Sequence, residues 1–207
     1  MRASPTALGR AELVAALADL LAGLPSGTPA KVAISGLDDF HLPGHRGRST
    51  REEWTPRSYY DGSYDYAAFR ALVLDPLSPG GSRRCRLSLF SSFHDSFLPE
   101  TWVEVEDNAV MLADGIFLLR PELRACWDYV IWIEIDEVTS LARARERDTA
   151  WVGDADVVER RYRQRSFPAY RLYVAETGGS ANADAVIDNT DPASPTLTCN
   201  DQGANSA

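Results

Sequence analysis

Leu13, Leu17, Leu20, Leu21 and Leu24 recur at helical spacing, which predicts a helix over residues 7–22 with Gly23 as its C-terminal cap. After a turn from Pro25 to Pro29, Lys31-Val-Ala-Ile-Ser35 reads as a short buried strand ending at Gly36. Residues 37–62 are polar, aromatic and turn-rich, and predict a long irregular segment of the kind that often carries function. Asp65 to Leu74 predicts a helix with Ala68, Phe69, Leu72 and Val73 on its apolar face. Short strands are expected within Arg84–Phe90 and Trp102–Val105. Stronger apolar runs follow at Ala109–Ala113 and Tyr129–Ile135. Asp136 to Asp148 predicts a helix, and residues 154–176 predict a second one, kinked at Pro168. Ala185-Val-Ile-Asp188 is the last expected strand. Buried strands alternating with helices imply an α/β domain with a mainly parallel sheet, over residues 1–191. The Pro, Ser, Thr, Asn and Gly content beyond it predicts a disordered tail over 192–207.

Composition narrows the function classes. The 207 residues carry a net charge of −9, which argues against general nucleic-acid or membrane-surface binding. Lys31 is the sole lysine beside 20 arginines, so any lysine chemistry falls to one residue. Cys85, Cys126 and Cys199 form no CxxC pair, so neither a zinc site nor a disulfide framework is expected, and a reducing cytoplasm is the expected compartment. No apolar run reaches the roughly 18 residues of a membrane span.

In parallel α/β sheets, ligands bind beyond the carboxyl ends of the strands. Asp38-Asp39-Phe40-His41 follows the first strand, where paired carboxylates can take a proton from a substrate hydroxyl or help hold hydrated magnesium. A turn or a helix cap is the plain alternative for the same residues. Asp114 ends an apolar strand and precedes Gly115, which suits an acid orienting magnesium beside a nucleotide, or a simple turn. Arg143 and Arg147 share one helix face at i,i+4 spacing, and Arg160, Arg161, Arg163 and Arg165 follow on the next helix. Such guanidinium groups can clamp phosphoryl oxygens, while Glu146, Asp148 and Glu159 between them also fit a solvated, salt-bridged face. Trp54, Tyr59, Tyr60, Tyr64 and Tyr66 are able to stack on a base or to serve as ordinary packing.

In order along the chain, several segments resemble the uridine kinase/phosphoribulokinase-like branch of the P-loop kinases. Leu37-Asp-Asp-Phe-His-Leu-Pro43 is similar to that family's acidic motif after the second strand. Tyr59-Tyr-Asp-Gly-Ser-Tyr-Asp-Tyr66 with Leu74-Asp-Pro-Leu77 resembles its substrate-side segment. Ala113 to Leu123 resembles its Walker-B-like strand and loop, Arg143 to Asp148 with Tyr162–Tyr173 its lid, and Ala183 to Asn189 its closing strand. The resemblance spans roughly residues 7–192. It implies a three-layer P-loop NTPase-like parallel sheet and ATP-dependent phosphorylation of a nucleoside-like hydroxyl, with ATP and Mg2+ as cofactors and a small molecule as partner. Under that resemblance Asp38 is the base. Asp39, His41, Tyr60 and Asp65 are substrate-side residues, Asp114 is the magnesium-side acid, and Arg143 and Arg147 are lid arginines.

One motif of the family is missing. A P-loop places G-x-x-x-x-G-K-[S/T] after the first strand, so that its amides cradle phosphate and its lysine reaches the β/γ-phosphates. Here Ile34-Ser35-Gly36 runs straight into Leu37-Asp38-Asp39, and no Gly-Lys pair occurs in the chain. Relative to the family, about 25 residues are absent: the loop, its helix and most of a strand. The expectation is therefore a sheet truncated by one strand and one helix, with an exposed apolar seam. Two functions remain open: a nucleoside kinase-like phosphotransferase, or a catalytically inactive binding or regulatory module that needs neither ATP nor Mg2+.

Overall fold

The computed structural model describes residues 6–24, 30–34, 37–43 and 55–200. Its centre is a six-stranded sheet of β1 (Thr6–Ala7), β2 (Ala30–Ile34), β7 (Val110–Asp114), β8 (Tyr129–Glu134), β9 (Ala185–Asp188) and β10 (Thr196–Cys199). Across the sheet the order is β1-β10-β9-β8-β2-β7. The run β9-β8-β2-β7 is parallel throughout, and β10 and β1 add antiparallel strands at one side. Successive side chains of a strand face opposite ways. Ile131 therefore enters one core with Val32, Ile187 and Leu197, while Val130 and Trp132 enter the other. Helix α1 (Arg10–Ala22) lays Leu13, Leu17, Leu20 and Leu21 on the first face.

The second face is covered by α2 (Pro56–Gly62), α3 (Tyr66–Phe69) and α7 (Phe167–Thr177). Here Tyr60, Tyr64, Phe69, Phe117 and Tyr173 build the larger core. Helix α2 falls inside the segment expected to be irregular. Its signal is local: Thr55 caps Ser58 N–H through Oγ1 at 3.1 Å, and Pro56 occupies the first turn. Asp65 caps α3 by accepting from Ala68 N–H at 2.8 Å, and a π-helical turn over Arg70–Leu74 extends that helix. Between it and β7 lie the two-stranded ribbons β3 (Arg84–Cys85) with β6 (Val103–Glu104) and β4 (Phe90–Ser91) with β5 (Ser96–Phe97).

After the short α4 (Pro121–Arg124), Asp136 caps α5 (Glu137–Val152), which ends in a left-handed Gly153 at φ 86°. The expected kinked helix is α6 (Ala155–Arg161), a π-helical turn over Tyr162–Ser166, and then α7, so the irregularity sits immediately before Pro168. The expected tail is corrected at its start. Thr196 to Cys199 pairs antiparallel with Asp188 to Ala185, because Thr-Leu-Thr alternation puts Leu197 into the core under α1. Residues 201–207 lie outside the described residues. No helix among the described residues is long and apolar enough to cross a membrane.

β7 is the outer strand on its side, with no further strand paired to it among the described residues. Val110 is 43% and Leu112 55% exposed, which matches the expected apolar seam.

Candidate functional site

The sequence-predicted acids after two different strands come together because β2 and β7 are parallel neighbours ending level, with Ile34 beside Asp114. Beyond β2, Leu37 and Phe40 are buried and anchor a turn closed by Phe40 N–H donating to Leu37 O at 3.1 Å. The exposed side chains of Asp38 and Asp39 lie between these anchors. The Asp39 carbonyl also accepts from Leu89 and Phe90 N–H at 3.0 and 2.9 Å, which fixes the turn against β4. Asp38, Asp39 and Asp114 line one cavity of about 280 Å³ whose other walls include Leu37, Phe40, Phe69 and Met111. A smaller space of about 50 Å³ beside Tyr170 and Tyr173 is lined by no carboxylate and carries no comparable chemistry.

The charge of Asp38 is also felt by two tyrosines, Tyr59 and Tyr64. Burial raises the pKa of Tyr59, and the charges acting on that phenol are those of Arg165, Asp38 and Arg161. Tyr64 is pushed well up by burial, with Asp38 and Arg165 among its neighbours. The Arg165 guanidinium lies 4.6 Å over the Tyr59 ring, and loss of solvent brings its pKa down to about 10. The arginine charges acting on Tyr59 are thus those of Arg161, at the end of α6 and 5.4 Å over the Trp151 ring, and of Arg165, on the π-helical turn. Their i,i+4 spacing was visible in the sequence.

Arg143 and Arg147 are engaged elsewhere. Arg143 donates through Nη2 to Thr190 O at 2.9 Å, beyond the end of β9. Arg147 donates to Asp148 Oδ1 at 2.6 Å and to the Tyr162 hydroxyl at 3.0 Å, and the Asp148 carboxylate raises its pKa. The substrate-side expectations divide in the same way. Tyr60 is fully buried against Phe117 at 4.9 Å and under the Arg120 guanidinium at 4.3 Å, so it packs the core and does not line the cavity. Asp65 spends its Oδ1 on the α3 cap. His41 is buried against Tyr64 at a ring distance of 4.4 Å. Its Nδ1 lies 2.7 Å from the Asp38 carbonyl, which can only accept, so Nδ1 carries the proton and His41 braces the acid turn from behind. His45 and Trp54 lie outside the described residues.

Burial lowers the His41 pKa from 6.5, although Asp38 and Asp39 oppose the shift. The unfolded chain therefore takes up this proton more readily than the folded one. Stability is full above the unfolded value and falls as pH drops through it toward the folded value. Urea midpoints measured between about pH 7 and 5 are expected to decline, and His41→Gln is expected to flatten that part of the profile. An unchanged slope in the variant would remove His41 as its source.

A magnesium ion commonly takes one or two carboxylates and completes its shell with water and phosphate oxygens. The exposed Asp114 is able to serve in that mode, and no ready-made cluster of three metal-ligating side chains occurs among the described residues. The residues present do not fit ATP in the P-loop manner. Lys31 is buried in β2 with its side chain 6% exposed, and its Nζ sits 3.2 Å from Asp128 Oδ2. Only Ser35 and Gly36 separate the last residue of β2 from Leu37.

Comparison with solved structures places this geometry in a known architecture. A possible uridine kinase from Bacillus stearothermophilus superposes with a TM-score of 0.60 at 15% identity, over 84% of this chain and 96% of that one. The fold is that of the P-loop kinases. A protein described as a fructose transport system kinase, from Silicibacter sp. TM1040, gives the same TM-score of 0.60 at 19% identity, over 80% of this chain and 95% of that one. No family model matches the sequence, and no curated protein matches it.

Proposed function

We propose that this kinase-fold chain binds a hydroxylated, nucleoside-like small molecule at Asp38, in the cavity that Asp38 shares with Asp39 and Asp114, and that it transfers no phosphoryl group from ATP. The observation that carries the second half is the fate of Lys31. The sole lysine is buried mid-strand and paired with Asp128, leaving no ammonium group for a β/γ-phosphate. Without the amide cradle as well, the sequence directly after β2 has no P-loop to stabilise the charge that develops on a transferring phosphoryl group. The acceptor side of the fold is better preserved. Asp38 is an exposed carboxylate on a braced turn, able to accept a hydrogen bond from a ligand hydroxyl. Tyr59 is partly buried beneath the Arg165 guanidinium, and Arg161 and Arg165 contribute positive charge on that side.

The alternative is an active nucleoside kinase-like phosphotransferase. It is favoured by the meeting of Asp38 and Asp114 in one cavity, the arrangement that a base and a magnesium-side acid would need.

A calorimetric panel of nucleosides, free sugars and sugar alcohols tests the binding reading. At least one nucleoside is expected to bind, and Asp38→Asn is expected to weaken it about tenfold or more, the worth of a hydrogen bond to a charged acceptor. If no member binds, or if Asp38→Asn leaves the affinity unchanged, the cavity at Asp38 is not the site.

A further inference from the structure

Among the described residues, β7 ends the sheet with half of its backbone unpaired. Ala30 N–H donates to Ala109 O at 3.0 Å, and the parallel register pairs Ala30 with Val110 and Val32 with Leu112. In a parallel ladder alternate residues of a strand address the same neighbour. Residues 109, 111 and 113 therefore turn their backbone groups toward β2, while Val110, Leu112 and Asp114 turn theirs outward. Outward N–H and C=O groups on an edge strand are a template for another strand. Natural edges are commonly blunted by lysine, proline or a bulge. This one reads Val-Met-Leu-Ala-Asp and has none of those devices.

The space beside the edge is shaped for side chains as well. Leu37, Phe40, Phe69, Val73, Leu87 and Leu112 contribute apolar wall to the cavity of about 280 Å³, and Leu87 is itself 48% exposed. The cavity's charge lies at one end only, where the strands terminate: Asp38, Asp39 and Asp114, with no basic side chain among the lining residues.

We propose that this edge receives an added β-strand from a basic partner polypeptide. The partner would present an extended segment with alternating apolar side chains, and a lysine or arginine at the end that meets Asp38, Asp39 and Asp114. Charge complementarity selects this occupant. A second copy pairing through its own β7 would bring Val-Met-Leu-Ala-Asp, a further carboxylate and no cation, to this edge, whereas a basic strand satisfies the backbone edge, the apolar wall and the carboxylates together. The inference does not depend on nucleoside binding.

The test uses the full chain and two terminally blocked, fluorescein-labelled peptides: Val-Thr-Val-Thr-Val-Lys and Lys-Val-Thr-Val-Thr-Val. The first carries lysine to the acidic end if it adds parallel to β7, and the second if it adds antiparallel. Fluorescence anisotropy is expected to show one of them binding in the micromolar range. Exchange of its lysine for glutamate, or N-methylation of alternate amides, is expected to weaken binding at least about tenfold. Leu112→Arg, at an exposed position, is expected to abolish binding while leaving the urea midpoint of the chain unchanged. The proposal is overturned if neither peptide binds, or if the glutamate or N-methylated forms bind equally well. It is also overturned if sedimentation shows a dimer that Leu112→Arg dissociates, because the edge then belongs to a second copy.

Discussion

Replacing Phe117 with alanine is expected to remove about 3–5 kcal/mol from the free energy of unfolding. Phe117 is fully buried and meets Tyr59, Tyr60 and Tyr173 edge-to-face at ring distances of 5.7, 4.9 and 5.3 Å. Each such pair adds roughly 0.5–1.5 kcal/mol to the plain burial of the ring. The residue also holds a left-handed backbone with φ 75°, a strained state for a side chain with a Cβ. Alanine keeps the Cβ, so it keeps the strain and loses only the ring. A small domain commonly has about 5–15 kcal/mol in total, so the variant is expected near the edge of unfolding. Urea denaturation reads this directly, and a loss below about 1 kcal/mol would contradict the placement of Phe117 at the centre of the larger core. The same cluster carries Tyr59, so weakened nucleoside binding should accompany the lost stability.

The strands were the most legible part of the sequence. Tyr129–Ile135 is an apolar run because both faces of β8 meet packed side chains, whereas Ala109–Ala113 packs Met111 and Ala113 on one face and leaves Val110 and Leu112 exposed on the other. The joining of Asp38, Asp39 and Asp114 was legible too, since parallel neighbours end at the same side. Other features depended on partners that no local pattern names. Thr196–Cys199 reads as polar tail until its pairing with β9 and the docking of Leu197 under α1 are known. Tyr60 and Tyr59 are adjacent and chemically alike, yet helical rotation turns Tyr60 toward Phe117 and Arg120 and leaves Tyr59 beneath Arg165. Arg143 and Arg147 have the same spacing as Arg161 and Arg165. What separates the pairs is tertiary: the first pair is spent on Thr190, Asp148 and Tyr162, and in the second Arg165 lies over Tyr59 while Arg161 lies over Trp151.

The largest functional effect expected concerns ATP. A P-loop binds it through a nest of backbone amides, a lysine on the β/γ-phosphates and a hydroxyl on magnesium. The two residues that separate Ile34 from Leu37 cannot supply that loop, and Lys31 is committed to Asp128 inside the sheet. Phosphoryl transfer relies almost entirely on positioning and electrostatic stabilisation, so loss of the cradle removes most of the catalytic apparatus rather than trimming it. The retained Asp114 does not replace it. A single carboxylate orients a magnesium ion that nucleotide phosphates bring with them, but it repels the phosphates themselves.

The most direct measurement is an isothermal titration of the purified, folded chain with Mg·ATP, followed by a coupled assay for ADP in the presence of nucleosides. The expected result is no binding heat at millimolar nucleotide and no ADP above the buffer rate, while a nucleoside alone still binds. Micromolar binding of Mg·ATP with nucleoside-dependent ADP release would contradict the loss of phosphoryl transfer, and would mean that another segment of the chain has taken over the work of the P-loop.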